Sequence, residues 1–247
     1  LRIAVSSEPT ASFLEAVARE EKEAAKAALR RFFEPKCIAV VGASRNPLSV
    51  GGLLFQNLIH GRFNGAVYPV NRTSPVVQSI AAYESLSACP EVPELVIVSV
   101  PAAHVNEVVD DAGRLGVKAA CIISAGFAEA DEAGIARQQE LLPTAASYGL
   151  RIGGPNCMGL KNAGENVRMN GTFSAICPQP GRITCLSQSG ALGVAVIEQA
   201  NRLGLGLGTF VSVGNKADIS GNDVLEYWEQ DQRTRVVLMY LESFGNP

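Results

Sequence analysis

CIAVVGASRNPLSVGGLLFQNLIHG, residues 37–61, joins an apolar β-branched run to a polar turn at Gly42 and a helix-like segment opened by Gly51 and Gly52. The apolar run is short, rich in Val and Ile and closed by glycine, so it reads as a strand rather than a helix. The rhythm repeats in AVYPV (66–70), in LVIVSVP (95–101) before a helical stretch from Ala102 to Leu115, and in KAACIIS (118–124). A helix from Asp131 to Tyr148 and LRIGG (150–154) complete the series. Short apolar runs alternating with helices predict βαβ units and a parallel sheet buried on both faces. Right-handed crossovers then place every strand C-terminus along one edge, where doubly wound sheets bind their ligands. The residues just after each run are therefore the candidates for chemistry.

Outward from this core the pattern changes twice. Between Asn162 and Gly181 it lapses into NAGENVRMNGTFSAICPQPG, read as a polar connection and a domain boundary. A second α/β series follows: RITCLS, a helix from Gly190 to Leu203, GLGTFVSV, a helix from Gly221 to Gln230, and VVLMYLES. It contains about three strands, fewer than a doubly wound sheet usually carries, so this domain is expected to be incomplete. Before Cys37, Leu1–Val5 reads as a strand, and FLEAVAREEKEAAKAALRRFF as an exposed helix of alternating charge that Pro35 ends. The expected division is a linker strand and helix from a preceding domain over 1–34, a first domain over 35–165 and a truncated second over 180–247. The absence of an initiator Met and the mid-pattern ending SFGNP lead to the expectation of a piece of a longer chain.

Composition narrows the function classes. At 47% hydrophobic and a net charge of -3, the 247 residues describe a globular chain of one to two domains, not a disordered one. With no Lys/Arg run, the negative balance argues against nucleic acid as a partner. The six cysteines show no C-x-x-C spacing and mostly sit in apolar runs, so a zinc site or disulfide framework is not expected and a cytoplasmic setting is. No run reaches the ~18 apolar residues of a membrane span, and no signal peptide is present, so no membrane partner is expected. The two histidines, His60 and His104, leave little for His-based metal or triad chemistry. His60 reads as a solvated helix-end residue, and His104 starts a helix.

The turns carry the remaining signal. Gly42-Ala43-Ser44-Arg45-Asn46-Pro47 lets backbone approach a phosphate at a helix N-terminus, but it departs from G-x-G-x-x-G. Asn71 stands where an acidic residue would hold a ribose, which argues against NAD. Ser99-Val100-Pro101, Ser124-Ala125-Gly126-Phe127 and Gly153 to Gly159 follow three further strands, and four small or polar turns on one edge favour a nucleotide-like ligand. Cys157 has no partner spaced to make it a nucleophile. Leu186-Ser187-Gln188-Ser189-Gly190-Ala191 lacks the first Gly of a hydrolase elbow and suits an oxyanion or phosphate, or simple helix capping. Val213-Gly214-Asn215-Lys216 adds a lysine. Glu242 ends an apolar run, either as a buried carboxylate needing a partner or as a strand-end residue facing solvent.

Taken in order, IAVVGAS with its GG helix, VYPVN, VPAAHV, ISAGFAE, GPNCMGL, LSQSGALG, SVGNKADISGNDVLEYW and YLESF resemble the α-subunit-like half of ADP-forming acyl-CoA synthetases. That half also occurs in protein lysine acetyltransferases of the acetyl-CoA-synthetase-like type and is related to the succinyl-CoA synthetase α-subunit. The resemblance runs over about residues 31–247 and implies a Rossmann-like CoA-binding domain followed by an incomplete flavodoxin-like, succinyl-CoA-synthetase-like domain. It implies that Gly42, Ala43, Ser44, Asn46 and Gly51 hold the CoA diphosphate, and that Asn71, Val100 and Pro101 line the nucleotide. Ser124, Ala125, Gly126, Phe127, Asn156, Cys157 and Met158 would lie near the thiol and acyl group. Ser187, Ser189, Gly190 and Ala191 would receive phosphate or a phosphohistidine, and Glu242 would hydrogen-bond the catalytic histidine.

The family reaction converts acyl-CoA, ADP and phosphate to acid, CoA and ATP through an acyl phosphate and a phosphohistidine. Mg-ADP/ATP sits in a separate ATP-grasp domain, which this sequence lacks. The sequence stops five residues after Glu242, and neither His60 nor His104 stands in the phosphohistidine motif. The chain is thus expected to bind CoA or acetyl-CoA without completing the cycle, with an ATP-grasp domain and, in one variant, a GNAT-type domain as partners. Assembly of several copies is left open. The alternative function is a non-catalytic acetyl-CoA-sensing module of a GNAT-type lysine acetyltransferase, to which the N-terminal strand and charged helix would join a preceding domain.

Overall fold

A computed structural model describes residues 10–243; the strand expected over Leu1–Val5 and the final four residues lie outside them. Helix α1 (Ala11–Phe33) leads into β1 (Cys37–Val41), α2 (Val50–His60) and β2 (Ala66–Val70). A small hairpin of β3 (Val76–Val77) and β4 (Ile80–Ala81) follows, then β5 (Leu95–Val98), α3 (Val105–Arg114), β6 (Ala119–Ile122), α4 (Glu132–Ser147) and β7 (Arg151–Gly153). The remainder is β8 (Gly159–Asn162), β9 (Met169–Thr172), β10 (Ile183–Ser187), α5 (Gly190–Arg202), β11 (Leu207–Ser212), α6 (Gly221–Glu229) and β12 (Val236–Tyr240).

The first sheet is parallel throughout, in the order β2-β1-β5-β6-β7. Counting only its own strands this is 2-1-3-4-5, a Rossmann-like doubly wound arrangement whose switch point lies between β1 and β5. Every residue of β1, β5 and β6 is buried. Alternate side chains go to opposite faces. Ile38, Val40, Leu95 and Ile97 join Leu54, Phe55 and Leu58 of α2, whereas Ala39, Val41, Val96 and Val98 join Val105, Val109 and Leu141 of α3 and α4. The helices start where side-chain oxygens accept free amides. Ser49 accepts from Gly52, Asp131 from Gly134 and Ser189 from Leu192, and Ser220 with Asp223 forms a capping box on α6.

Two expectations change here. The end of α1 is not a separate exposed linker: Leu29, Phe32 and Phe33 are at most 1% exposed and lie in the α2-side core, with Gly153 leaving space for the Phe32 ring. Phe33 also stacks on Tyr227 of α6 at 4.5 Å between centroids, and the Tyr227 hydroxyl donates to Glu34.

The supposed polar connection is the second correction. β9 lies inside it, and β8 and β9 extend the second sheet, β12-β10-β11-β8-β9, by antiparallel pairing onto the parallel β10, β11 and β12. That sheet therefore has five strands, two of them drawn from sequence assigned to the first domain and the connection. Both are buried and polar because their side chains are satisfied. Asn162 Nδ2 donates to Phe33 O, Asn162 Oδ1 accepts from Gly164, and Thr172 Oγ1 donates to Asn170. Asn57 of α2 donates to the carbonyls of Thr172 and Ser174, tying the hairpin to the first sheet. At the sheet's other edge Val236, Val237, Leu238 and Tyr240 of β12 are each at least 40% exposed, an apolar edge open to a further strand.

The two sheets are clamped together. Leu186, Val211, Val213, Ile219, Val224 and Trp228 share one core with α1 and α2. Arg151 of β7 pairs with Asp218 and Asp223, both at 2.9 Å, and the Ile152 amide donates to Asp218. Burial pushes the Asp223 carboxyl up, but its Ser220 and Arg151 hydrogen bonds outweigh that and lower its pKa. Stability from a depressed carboxylate is present above its unfolded value near 3.9 and is lost as pH falls through the folded one. Arg151→Ala is therefore expected to cost on the order of 1–2 kcal/mol at pH 7 and progressively less as pH falls below about 3.9, read from urea titrations across that range.

Candidate functional site

The C-terminal edges of the two sheets face a common cleft of ≈ 830 Å³. Its walls are Val50 at the start of α2, Ser99–Pro101 after β5, Ile123–Ala125 after β6, Asn156–Met158 after β7, Ser189–Ala191 at the start of α5, and Glu242 beyond β12. Two helix N-termini thus border one cavity, and their unpaired amides and dipoles favour negative charge. A second cavity of ≈ 370 Å³ is lined by Gly42, Asn71, Val100, Pro101, His104 and Asp111. Val100 and Pro101 wall both spaces, so the two cavities adjoin at the turn after β5. A hollow of ≈ 850 Å³ at the N-terminal edge of β10 and β12 holds none of the predicted turns, and Arg233 there is folded onto Asp231.

The β1–α2 turn is held to one shape. Gly42 has φ +92°, and a Cβ there would stand 2.8 Å from Ser99 O. A Cβ on Gly51 would collide with the Gly42 carbonyl. Ser44 Oγ accepts from the Asn46 amide and Asn46 Oδ1 from that of Leu48, so these side chains shape the turn and border neither cavity. Ala43 is fully buried. Asn71 Nδ2 donates to Ala43 O while its Oδ1 accepts from Thr73 and Ser74, bracing β2 against the turn. Gln78, which the sequence reading missed, donates to the carbonyls of Ser44 and Gly52 from a residue with φ 48°.

Not every expected residue reaches the cleft. Phe127 is fully buried against α3 and α4, and the Gly126 and Phe127 amides both donate to Glu129, so neither residue lines the cleft although Ala125 and Glu129 beside them do. Ser187 is buried and donates to Ser189 O, shaping the loop from behind. Ser124 Oγ donates to Val100 O, joining two cleft walls. Cys157 donates to Ile122 O and lies 3.7 Å from Cys121, sulfur to sulfur. Glu242 is not a buried strand carboxylate: it lies beyond the end of β12, exposed at the cleft mouth. Gln188 sets its position by accepting from the Glu242 and Ser243 amides.

A polar bridge closes the floor. Asn215 donates to Glu129 and Gln138 and accepts from Asn156. Burial pushes the Glu129 carboxyl up, but the Asn215 bond and the Gly126 and Phe127 amides outweigh it and hold it below its ordinary range. Spacing alone could not reveal this bridge, because Asn215 lies 59 to 86 residues from each of its partners. No group of His, Cys, Asp and Glu that could hold a metal occurs among the described residues, nor does a helix long and apolar enough to cross a membrane.

Residues 36–163 match the family model of a CoA binding domain, and residues 180–247 that of a succinyl-CoA ligase like flavodoxin domain. Acetate–CoA ligase [ADP-forming] I of Archaeoglobus fulgidus is 42% identical over 87% of the chain and 31% of its own length. The α subunit of acetate–CoA ligase [ADP-forming] I of Pyrococcus furiosus is 38% identical over 87% of the chain and 47% of its own. The dinucleotide forming acetyl-coenzyme A synthetase 1 of Ca. Korarchaeum cryptofilum, solved in complex with phosphate and ADP, superposes with a TM-score of 0.84 at 38% identity, covering 88% of this chain and 46% of that one. The chain thus spans less than half the length of these relatives.

Proposed function

Because the chain belongs to the CoA binding domain family and carries a succinyl-CoA ligase like flavodoxin domain behind it, we propose that it is the acyl-CoA-binding half of an ADP-forming acyl-CoA synthetase. The observation that carries the reading is a cleft bordered by two helix N-termini that shares its Val100–Pro101 wall with a second cavity at Gly42. In this reading the diphosphate of CoA lies on the turn of Gly42, Ala43, Ser44, Asn46 and Gly51, of which Gly42 lines the second cavity. The nucleotide follows Asn71, Val100 and Pro101. The thioester end enters the large cleft among Ser124, Ala125, Asn156, Cys157 and Met158.

Phosphate is held at the start of α5 by the Ser189, Gly190 and Ala191 backbone, with Ser187 buttressing the loop. Its oxygen attacks the thioester carbonyl, the carbon–sulfur bond breaks, and CoA departs as thiolate, leaving an acyl phosphate. The helix amides stabilise the negative charge that develops on the carbonyl oxygen. Glu242, at the cleft mouth, is placed to orient an incoming histidine that collects the phosphoryl group. That histidine and an ATP-grasp domain binding Mg-ADP belong to further parts of the whole ligase. Among the described residues of the cleft walls the ionisable carboxylates are Glu129 and Glu242, and no Lys or Arg lines it. A second carboxylate on the acyl group would find no cation there, so the acyl group is inferred to be that of a monocarboxylic acid. The relatives support this reading and not that of an acetyltransferase's sensing module.

Arsenate substitutes for phosphate and makes the step irreversible, so release of free CoA thiol from acetyl-CoA reports it. The chain should release thiol in proportion to arsenate. Gly190→Glu, where a Cβ meets nothing within 4 Å, should leave folding intact and cut that release by about 100-fold through charge repulsion. Release that ignores arsenate, or that survives Gly190→Glu, refutes the phosphate site.

A further inference from the structure

A cavity of ≈ 420 Å³ outside the cleft is lined by Lys161, Arg168, Asn170, Cys177 and Pro178, and it shares no residue with the cleft walls. Lys161 belongs to β8 and is only 4% exposed. Its Nζ donates to Pro178 O at 2.6 Å, and no carboxylate pairs with it among the described residues. Cys177 is exposed, and its Sγ donates to that same carbonyl at 3.9 Å. One oxygen therefore gathers a solvent-facing thiol and a buried amine, and the two can be no further apart than those two distances combined. Burial lowers the Lys161 pKa, which enlarges the neutral, nucleophilic fraction of the amine, and the neighbouring Cys177 only partly opposes this.

We propose that Cys177 and Lys161 form an S-to-N acyl relay that makes Lys161 a site of acylation by small acyl thioesters. The Cys177 thiolate attacks the thioester carbonyl; a new carbon–sulfur bond forms and the donor thiol leaves as thiolate, taking up a proton. The neutral Lys161 amine then attacks the Cys177 thioester. A carbon–nitrogen bond forms, the Cys177 carbon–sulfur bond breaks, and the proton lost by nitrogen returns to the sulfur. Lys161 alone is screened from solvent donors, whereas Cys177 is not, so the thiol supplies the access and the amine the stable end point. Proximity of this kind converts a bimolecular acylation into an intramolecular one.

The relay does not require the CoA site, so the test uses a thioester without a nucleotide, S-acetyl-N-acetylcysteamine, beside acetyl-CoA. Acetylation is followed by peptide mass spectrometry, with exposed Lys36 as the internal reference. Lys161 should be acetylated at least about tenfold faster than Lys36 with both donors, as proximity demands. Cys177→Ser, at an exposed position, should slow Lys161 by about tenfold or more and leave Lys36 unchanged. Lys161→Arg should let a hydroxylamine-labile acetyl group persist on Cys177. Acetylation of Lys161 at the Lys36 rate, or at an unchanged rate in Cys177→Ser, overturns the relay. Acetylation by acetyl-CoA alone also overturns it, since the donor would then act through the CoA site.

Discussion

Gly42→Asp is expected to weaken CoA binding by at least about 100-fold, because it sets a carboxylate against the diphosphate where only backbone fits. The effect has two physical sources. At φ +92° any side chain strains the backbone, and a Cβ would press on Ser99 O, Ser99 C and Ser99 Oγ, all within 2.9 Å. The charge then repels the ligand at the point where the helix dipole of α2 would have attracted it. Titration calorimetry gives the affinity, and a thermal melt of the same variant separates loss of the site from loss of the fold. Gly42→Ala divides the sources: it keeps the steric cost and removes the charge, so it should retain more binding than Gly42→Asp. Equal affinity in the wild type and Gly42→Asp would show that the diphosphate does not lie at this turn.

Phe32→Ala should destabilise the chain by about 3–5 kcal/mol, the range for removing a fully buried aromatic ring. Phe32 is completely buried in the core that joins both sheets, it meets Phe33 edge to face at 5.3 Å, and the backbone at Gly153 has no side chain to fill the space left behind. A linker helix lying outside the folded unit would lose no more than about 0.5 kcal/mol from the same change. Urea unfolding of the two proteins decides between these values. The outcome matters for the site as well, because α1 packs against β6, whose C-terminal end supplies Ile123–Ala125 to the cleft.

The difference between these two regions shows what the sequence made legible. β1, β5 and β6 are buried on both faces, so their residues had to be apolar, and IAVV, LVIV and AACI stand out as runs. β8 and β9 are equally buried but read GLKN and MNGT, because hydrogen bonds rather than apolar contact satisfy them. Hydrophobic periodicity carries no signal for such strands. In α1 the charged residues dominate the pattern, while Leu29, Phe32 and Phe33, buried among the described residues, lie in its last two turns.

The site divides in the same way. The turns at the strand ends were legible because small residues after an apolar run mark the edge where such sheets bind ligands. Which members of a turn face the cleft was not legible. ISAGFAE gave no sign that Phe127 points into the core or that Glu129 consumes two amides of its own turn. Gln78, Gln188 and Asn215 hold the turns from outside them, through contacts that no local spacing encodes.

Calorimetric titration of the chain with CoA is the most direct test that the two cavities form one coenzyme site. Saturable binding with a stoichiometry of about one, lost in Gly42→Asp and retained in Gly190→Glu, is the expected result. No heat of binding from a chain that melts cooperatively would contradict it.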